Sequence, residues 1–287
     1  MPLDQVELDE NYEIKQVKEM SFFDHIDDLR GHLIRSVAVI LVLTIAFFTQ
    51  KDFLFQGILY APRDPNFVTY RFFCWVGTKI NLTGICITPP PFTTFTTSLG
   101  EAFFTHMKMA FMAGIIVGMP YILWEVWRFI RPGLFEKEIK TVRGIVGVTS
   151  ALFLTGVLFG YFVIAPMAIS FLAGYTIEGT TVQTTLDSYI GYMIMFTLPI
   201  GLVFELPVLI YFFAKLGLVT AQFLKTYRRH MAAILVLIAG IITPSPDVFT
   251  QLLVSIPLYG LYEVSIHVAK RVELNRLAEQ KRELNRG

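Results

Sequence analysis

The chain is 287 residues long, 54% hydrophobic and 16% charged, with a net charge of +1 and a mean hydropathy of +0.57. Soluble domains carry about 25% charged residues, so this composition excludes an ordinary water-soluble domain and points to a protein embedded in lipid. The near-zero charge supplies no basic field for nucleic acid.

Residues 1–20 are acidic (Asp4, Glu7, Asp9, Glu10, Glu13, Glu19) and read as a solvated cytoplasmic tail. Polar residues fill the chain up to the first apolar run at Leu33, and no small-x-small site follows it, so no cleavable signal is expected. Ser21 is placed to cap a helix in which Phe22, Ile26, Leu29 and Leu33 recur at helical spacing. That pattern predicts an amphipathic segment lying on the membrane before the first span, with Asp24, Asp28 and Arg30 on its polar face.

Crossing a hydrocarbon core of about 30 Å takes roughly 20 apolar residues. Six segments qualify or nearly so: 33–49, 103–130, 144–172, 189–213, 231–242 and 248–268. The fifth is short, and a Thr243-Pro-Ser-Pro-Asp247 turn separates it from the sixth. The last two could instead form one re-entrant hairpin, and charge alone does not decide between the readings. A Pro-rich turn with Asp247 at its tip suits a solvated outer loop, which favours six spans.

Lys and Arg collect on the cytoplasmic side of membrane proteins. Here they mark the segments after the second span (Arg131, Lys137, Lys140, Arg143) and the fourth (Lys215, Lys225, Arg228, Arg229), and the tail 269–287. Residues 173–188 and 243–247 contain none. The alternation predicts that both termini are cytoplasmic. Loop 50–102 holds four basic residues, but long loops translocate regardless of charge, so it is placed outside. Its prolines (62, 65 and 89–91) predict an irregular ordered cap rather than a long helix. It also contains both cysteines, Cys74 and Cys86; an oxidising exterior permits a disulfide between them, and two unpaired thiols are the alternative. The steps Gly114–Gly118 and Gly156–Gly160 favour close helix packing in lipid and carry no functional information.

Motifs for chemistry are missing. There is no P-loop, no nucleophile elbow and no Cys or His pair at metal spacing, so no catalytic residue, metal or cofactor is expected. One acid stands out. Glu205, in Leu202-Val-Phe-Glu-Leu-Pro-Val208, lies ten residues before Lys215, about 15 Å into the bilayer. An acid there costs about 2.5–3.5 kcal/mol on the insertion scale. It is either a structural group bonded to a carbonyl freed by Pro199 or Pro207, or a docking or water-accessible site for a polar partner. A proton-coupled solute transporter with Glu205 as proton carrier is the alternative function. It needs a second polar group at similar depth, for which Thr155, Thr197, Lys108 and Glu125 are the sparse choices.

At the inner face, Glu136 and Glu138 follow the Arg131-Pro-Gly break after the second span. Acids there serve as helix caps, or they face Asp28 and clamp a cationic peptide. An arginine pair suits such a clamp, because guanidinium binds carboxylate through two parallel hydrogen bonds and Lys does not.

Four stretches in order then match a known family: His25-Ile-Asp-Asp-Leu-Arg30, Pro120-Tyr-Ile-Leu-Trp-Glu-Val-Trp-Arg-Phe-Ile-Arg-Pro-Gly-Leu-Phe135 with Glu138, Phe204-Glu-Leu-Pro207, and Thr243-Pro-Ser-Pro-Asp-Val-Phe-Thr-Gln251. From about Met20 to His267 the chain resembles the TatC family, the core subunit of the twin-arginine protein translocase. The resemblance implies an all-α polytopic fold of six helices in a concave, glove-like bundle in the bacterial inner membrane. It implies binding of twin-arginine signal peptides of folded cargo, with the recognition residues mapping onto Asp28, Arg30 and Glu138. The buried family glutamate maps onto Glu205, and the outer-turn pair onto Asp247 and Gln251. It further implies single-span partners of the TatA and TatB type, a homo-oligomer within a larger complex, and transport driven by the proton-motive force. Two features depart from the family pattern: Asp28 stands where a Glu is usual, with His32 at the following basic position, and loop 50–102 is longer than expected.

Overall fold

The computed structural model describes residues 22–81, 86, 89–130, 139–175, 177–178, 182–242 and 248–284. Helix α1 (Phe22–Phe48) is continuous, so the expected surface helix and first span are one rod. No proline interrupts this stretch, and Gly31 alone does not break the hydrogen-bond ladder. Helix α3 (Glu101–Ile130) returns antiparallel to it. Helices α4 (Ile139–Phe159) and α5 (Ala165–Gly174) form one span joined by a π-helical turn over residues 160–164, just before Pro166. Helices α6 (Leu186–Val203) and α7 (Leu206–Lys215) form another, interrupted at Phe204 and Glu205 ahead of Pro207. A short α8 (Ala221–Thr226) leads to α9 (Arg228–Ile242) and to α10 (Val248–Leu284).

Five of these segments are long and apolar enough to cross a bilayer: 27–48, 101–130, 144–174, 186–215 and 250–278. The 15 residues of α9 rise only about 22 Å, consistent with the short fifth apolar run. Helix α10 has 37 residues and extends about 55 Å, so most of the charged C-terminal stretch continues the last span as helix.

The packing is serial. Helix α1 lies mainly against α3, α3 against α4 and α6, α4 against α6, α7 against α10, and α10 against α8 and α9. The apolar window of α1 is only 6% buried, and Leu33, Val37, Leu41, Val42 and Ile45 face outward, as lipid contact requires. The glycine steps set the close approaches. A Cβ on Gly114 would sit 2.7 Å from Thr44 Oγ1, and one on Gly160 would sit 2.2 Å from the Phe196 carbonyl oxygen. Only glycine admits the α6 backbone there.

Loop 50–102 is irregular in part but contains more helix than its prolines suggest. A π-helical turn (Phe53–Leu59) and a 3₁₀ turn (Ala61–Arg63) precede α2 (Val68–Ile80), a helix of 13 residues. Prolines 62 and 65 precede α2 and prolines 89–91 follow it, which leaves the stretch between them free to coil. Cys74 and Cys86 are joined as a disulfide. Tyrosines fasten this cap to the helix ends beneath it. Tyr70 donates to the carbonyls of Pro62 (2.9 Å) and Pro166 (3.1 Å), Tyr161 to Ile58 (2.7 Å), and Tyr189 to Leu59 (3.0 Å). Burial pushes the Tyr70 hydroxyl up to about 12, keeping it a donor. Strands β1 (Thr93–Phe95) and β2 (Gln183–Thr185) pair in parallel, with Thr93 opposite Gln183, and join this loop to the segment between α5 and α6.

Candidate functional site

At the N-terminal end of α1, Asp28 and Arg30 are both solvent-exposed. Two residues apart on a helix, they project in nearly opposite directions. Asp28 instead shares a face with His32 and Arg35, at intervals of four and seven residues. That face turns toward α3, where Glu125 is 99% buried. The Glu125 carboxylate accepts from Arg35 Nε (3.2 Å) and Nη2 (3.3 Å), from the Tyr121 hydroxyl (2.8 Å), and from His32 Nδ1. Arg35 Nη2 also lies 2.9 Å from His32 Nδ1, so the four side chains form one cluster. Phe129 packs edge-on against the His32 ring at 5.9 Å.

A carboxylate this deep is stable only when its lone pairs are met, and charge-assisted bonds contribute roughly 1.5–3 kcal/mol each. The cluster therefore fixes the register of α1 on α3. Antiparallel packing pairs Gly114 with Ile40 and Thr44, and Glu125 with His32 and Arg35. One further turn sets Asp28 level with the C-terminus of α3 at Ile130. Glu138 lies outside the described residues, as does Asp247; α4 begins at Ile139, the residue after Glu138. In the sequence Glu125 stands out only as one of the sparse polar groups that could accompany Glu205. The signal that identifies it is a pair of hydrogen-bonding basic side chains, His32 and Arg35, one helical turn apart on the neighbouring span.

Glu205 occupies the interruption between α6 and α7 and is 9% exposed. Its Oε1 is buried with no hydrogen-bond partner among the described residues. That oxygen is therefore not held by a carbonyl that Pro199 or Pro207 frees. The groups that a proton relay from Glu205 would need are engaged elsewhere. Thr197 donates to Met193 O (2.7 Å), Thr155 to Ala151 O (2.7 Å), and Lys108 to Asp187 (2.9 Å). Glu125 is held in its own cluster.

Gln251, near the start of α10, donates its side-chain amide to Val236 O on α9 at 3.0 Å. It reaches this carbonyl across Gly240, where a Cβ would stand 2.8 Å from Gln251 Nε2. Asp28 and Arg30 thus belong to one end of the α1–α3 pair, Glu205 to the middle of the α6–α7 span, and Gln251 to the α9–α10 corner. No described contact joins the three groups. Among the described residues there is no cluster of His, Cys, Asp and Glu suited to a metal ion.

A family model described as Sec-independent protein translocase protein (TatC) matches residues 24–257. The Sec-independent protein translocase protein TatC of Blattabacterium sp. subsp. Periplaneta americana is 37% identical over 262 residues, covering 88% of this chain and 95% of that protein. The protein of the same name from Carboxydothermus hydrogenoformans is 35% identical over 256 residues, covering 89% of this chain and 95% of its own length. A crystal structure of the twin-arginine translocase receptor TatC superposes with a TM-score of 0.64 at 29% identity, covering 87% of this chain and 99% of that one. With the match running from the first turn of α1 into α10 and taking in α3 and the buried Glu205, the chain belongs to the TatC family of Sec-independent protein translocase proteins.

Proposed function

We propose that the chain is the receptor subunit of a twin-arginine translocase, binding the paired arginines of signal peptides on folded cargo at its cytoplasmic face. The observation that carries this reading is the exposed Asp28, held level with the end of α3 by the buried Glu125 cluster. Asp28 is exposed and has no partner among the described residues, while the His32 and Arg35 side chains are already bonded to Glu125. Glu138, the residue before Ile139 in sequence, is the second acid of the clamp, with Arg30 the third recognition residue. Neutralising one carboxylate with each arginine satisfies both through bidentate hydrogen bonds, a geometry that lysine does not reproduce.

The orientation belongs to the same proposal: both termini cytoplasmic, in a bacterial inner membrane, with loop 50–102 outside. Two observations support it. Basic residues concentrate in the segments after the second and fourth spans and in the C-terminal stretch. The β1–β2 pairing sets loop 50–102 on the same side as residues 173–188, which contain no Lys or Arg. Single-span subunits of the TatA and TatB type are the proposed partners, docking near Glu205 and the Asp247–Gln251 corner. An intramembrane carboxylate oxygen without an internal partner suits a polar group from another chain. Occupying Gln251 from outside would release Val236 O.

Photocrosslinkers at positions 28 and 138 test the receptor role. The expected result is strong crosslinking to a twin-arginine peptide and a severalfold loss with a twin-lysine control. Equal crosslinking of the two peptides overturns the clamp.

A further inference from the structure

Helix α2, which lies outside every membrane span, has an unusual exposed face. Val68 (65% exposed), Phe72 (57%) and Trp75 (59%) recur at intervals of four and three residues. They form one apolar stripe that ends at the exposed Lys79. The opposite face is the anchored one, with Thr69 and Tyr70 buried. An amphipathic helix in water turns its apolar face inward; α2 does the reverse.

The stripe is continuous with a surface that faces lipid. On α4 and the π turn that follows it, Leu154 (38%), Leu158 (53%) and Phe162 (37%) are exposed at steps of four. Phe67, the residue preceding α2, stacks on Phe162 with ring centroids 5.6 Å apart and planes 8° from parallel. Thr69 donates its hydroxyl to the Phe162 carbonyl. The row on the span therefore runs through Phe67 onto Val68 and Phe72.

The level fits as well. The span covers residues 144–174; counted from Gly144, about 20 residues of helix cross the hydrocarbon core, which puts its far boundary near Phe162. Aromatic residues concentrate at that depth, and a lysine there extends its ammonium to the headgroups.

We propose that α2 is an interfacial helix, seated in the headgroup–acyl boundary of the leaflet on the side of loop 50–102, with Val68, Phe72 and Trp75 in contact with phospholipid. The loop is then a cap resting on the bilayer at its rim, pinned to the π turn after α4 by Thr69 and to α5 by Tyr70.

Fluorescence quenching of the full chain in phospholipid vesicles tests this. Trp124→Phe with Trp127→Phe leaves Trp75 as the only indole among the three tryptophans. A disulfide at the adjacent Cys74 dims an indole, so a second reporter, Val68→Trp, is made with Trp75 also changed to Phe. The expected result for both is greater loss of emission to lipids with a nitroxide near the headgroup than to lipids with a nitroxide deep in the acyl chain, together with protection from aqueous iodide. Strong iodide quenching at either position, indicating a water-exposed face, overturns the proposal. So does insensitivity to both quenchers, as burial of the stripe against a second copy of this chain would produce.

Discussion

Glu125 has four donors around one buried carboxylate, and its contribution is decided by what each keeps when the charge is removed. Arg35 is half-exposed, so the loss is smaller than for a fully buried pair. Glu125→Gln is expected to destabilise the protein by about 1–3 kcal/mol, read as a lower Tm in detergent. Because the same cluster sets the level of Asp28, crosslinking from position 28 to a twin-arginine peptide is expected to fall as well, while crosslinking from position 138 falls less. Unchanged crosslinking at position 28 would remove the positioning role and leave a structural one. Glu205 differs: its Oε1 has no internal hydrogen bond among the described residues, so it gains from an outside donor. Both acids look alike in sequence, single carboxylates among apolar residues. Glu205 was legible because it lies far from any charge; Glu125 was not, because its partners come from residues 90 and 93 positions away.

Between elements, contact is controlled by small residues and by helix irregularities. At Gly160 the α4 backbone opens into a π turn, and α6 crosses directly against it. Gly160→Ala forces the Phe196 carbonyl to move, with an expected cost of about 1–3 kcal/mol. Gly144→Ala, with nothing within 4 Å of the new Cβ, is expected to be neutral or slightly stabilising through helix propensity. Thermal unfolding of the two variants side by side measures the contrast; equal effects would mean that the α4–α6 approach is not close-packed. The spacing of these glycines was legible as a packing signal, but their partner was not. Glycine steps say that something comes near, and the neighbouring backbone is named only by the fold. The interior of loop 50–102 was legible to a lesser degree still. Its prolines mark where helix stops, while α2 is held by contacts from residues about a hundred positions distant.

For the molecule as a whole, sidedness is the property that matters most to a receptor, and the parallel β1–β2 pair bears on it directly. In intact cells, an impermeant maleimide is expected to label Thr96→Cys and Glu178→Cys alike, and Lys281→Cys only after lysis. Labelling of the first two from opposite sides would contradict the shared strand pair. Hydropathy and charge in the sequence determined the all-helical membrane class, the long spans, the shortness of the fifth and the alternation of basic loops, because each depends on transfer between water and lipid, a property of local composition. The family motifs point to Asp28, Arg30, Glu138, Glu205, Asp247 and Gln251 as candidate site residues. Only the tertiary structure decided that α1 and the surface segment before it are one rod, that Glu125 anchors that rod, that Gln251 is bonded to α9, and that α2 turns an apolar face outward. These depend on which helices become neighbours, and hydrogen bonds and close packing act over a few ångströms between residues that the chain itself keeps far apart.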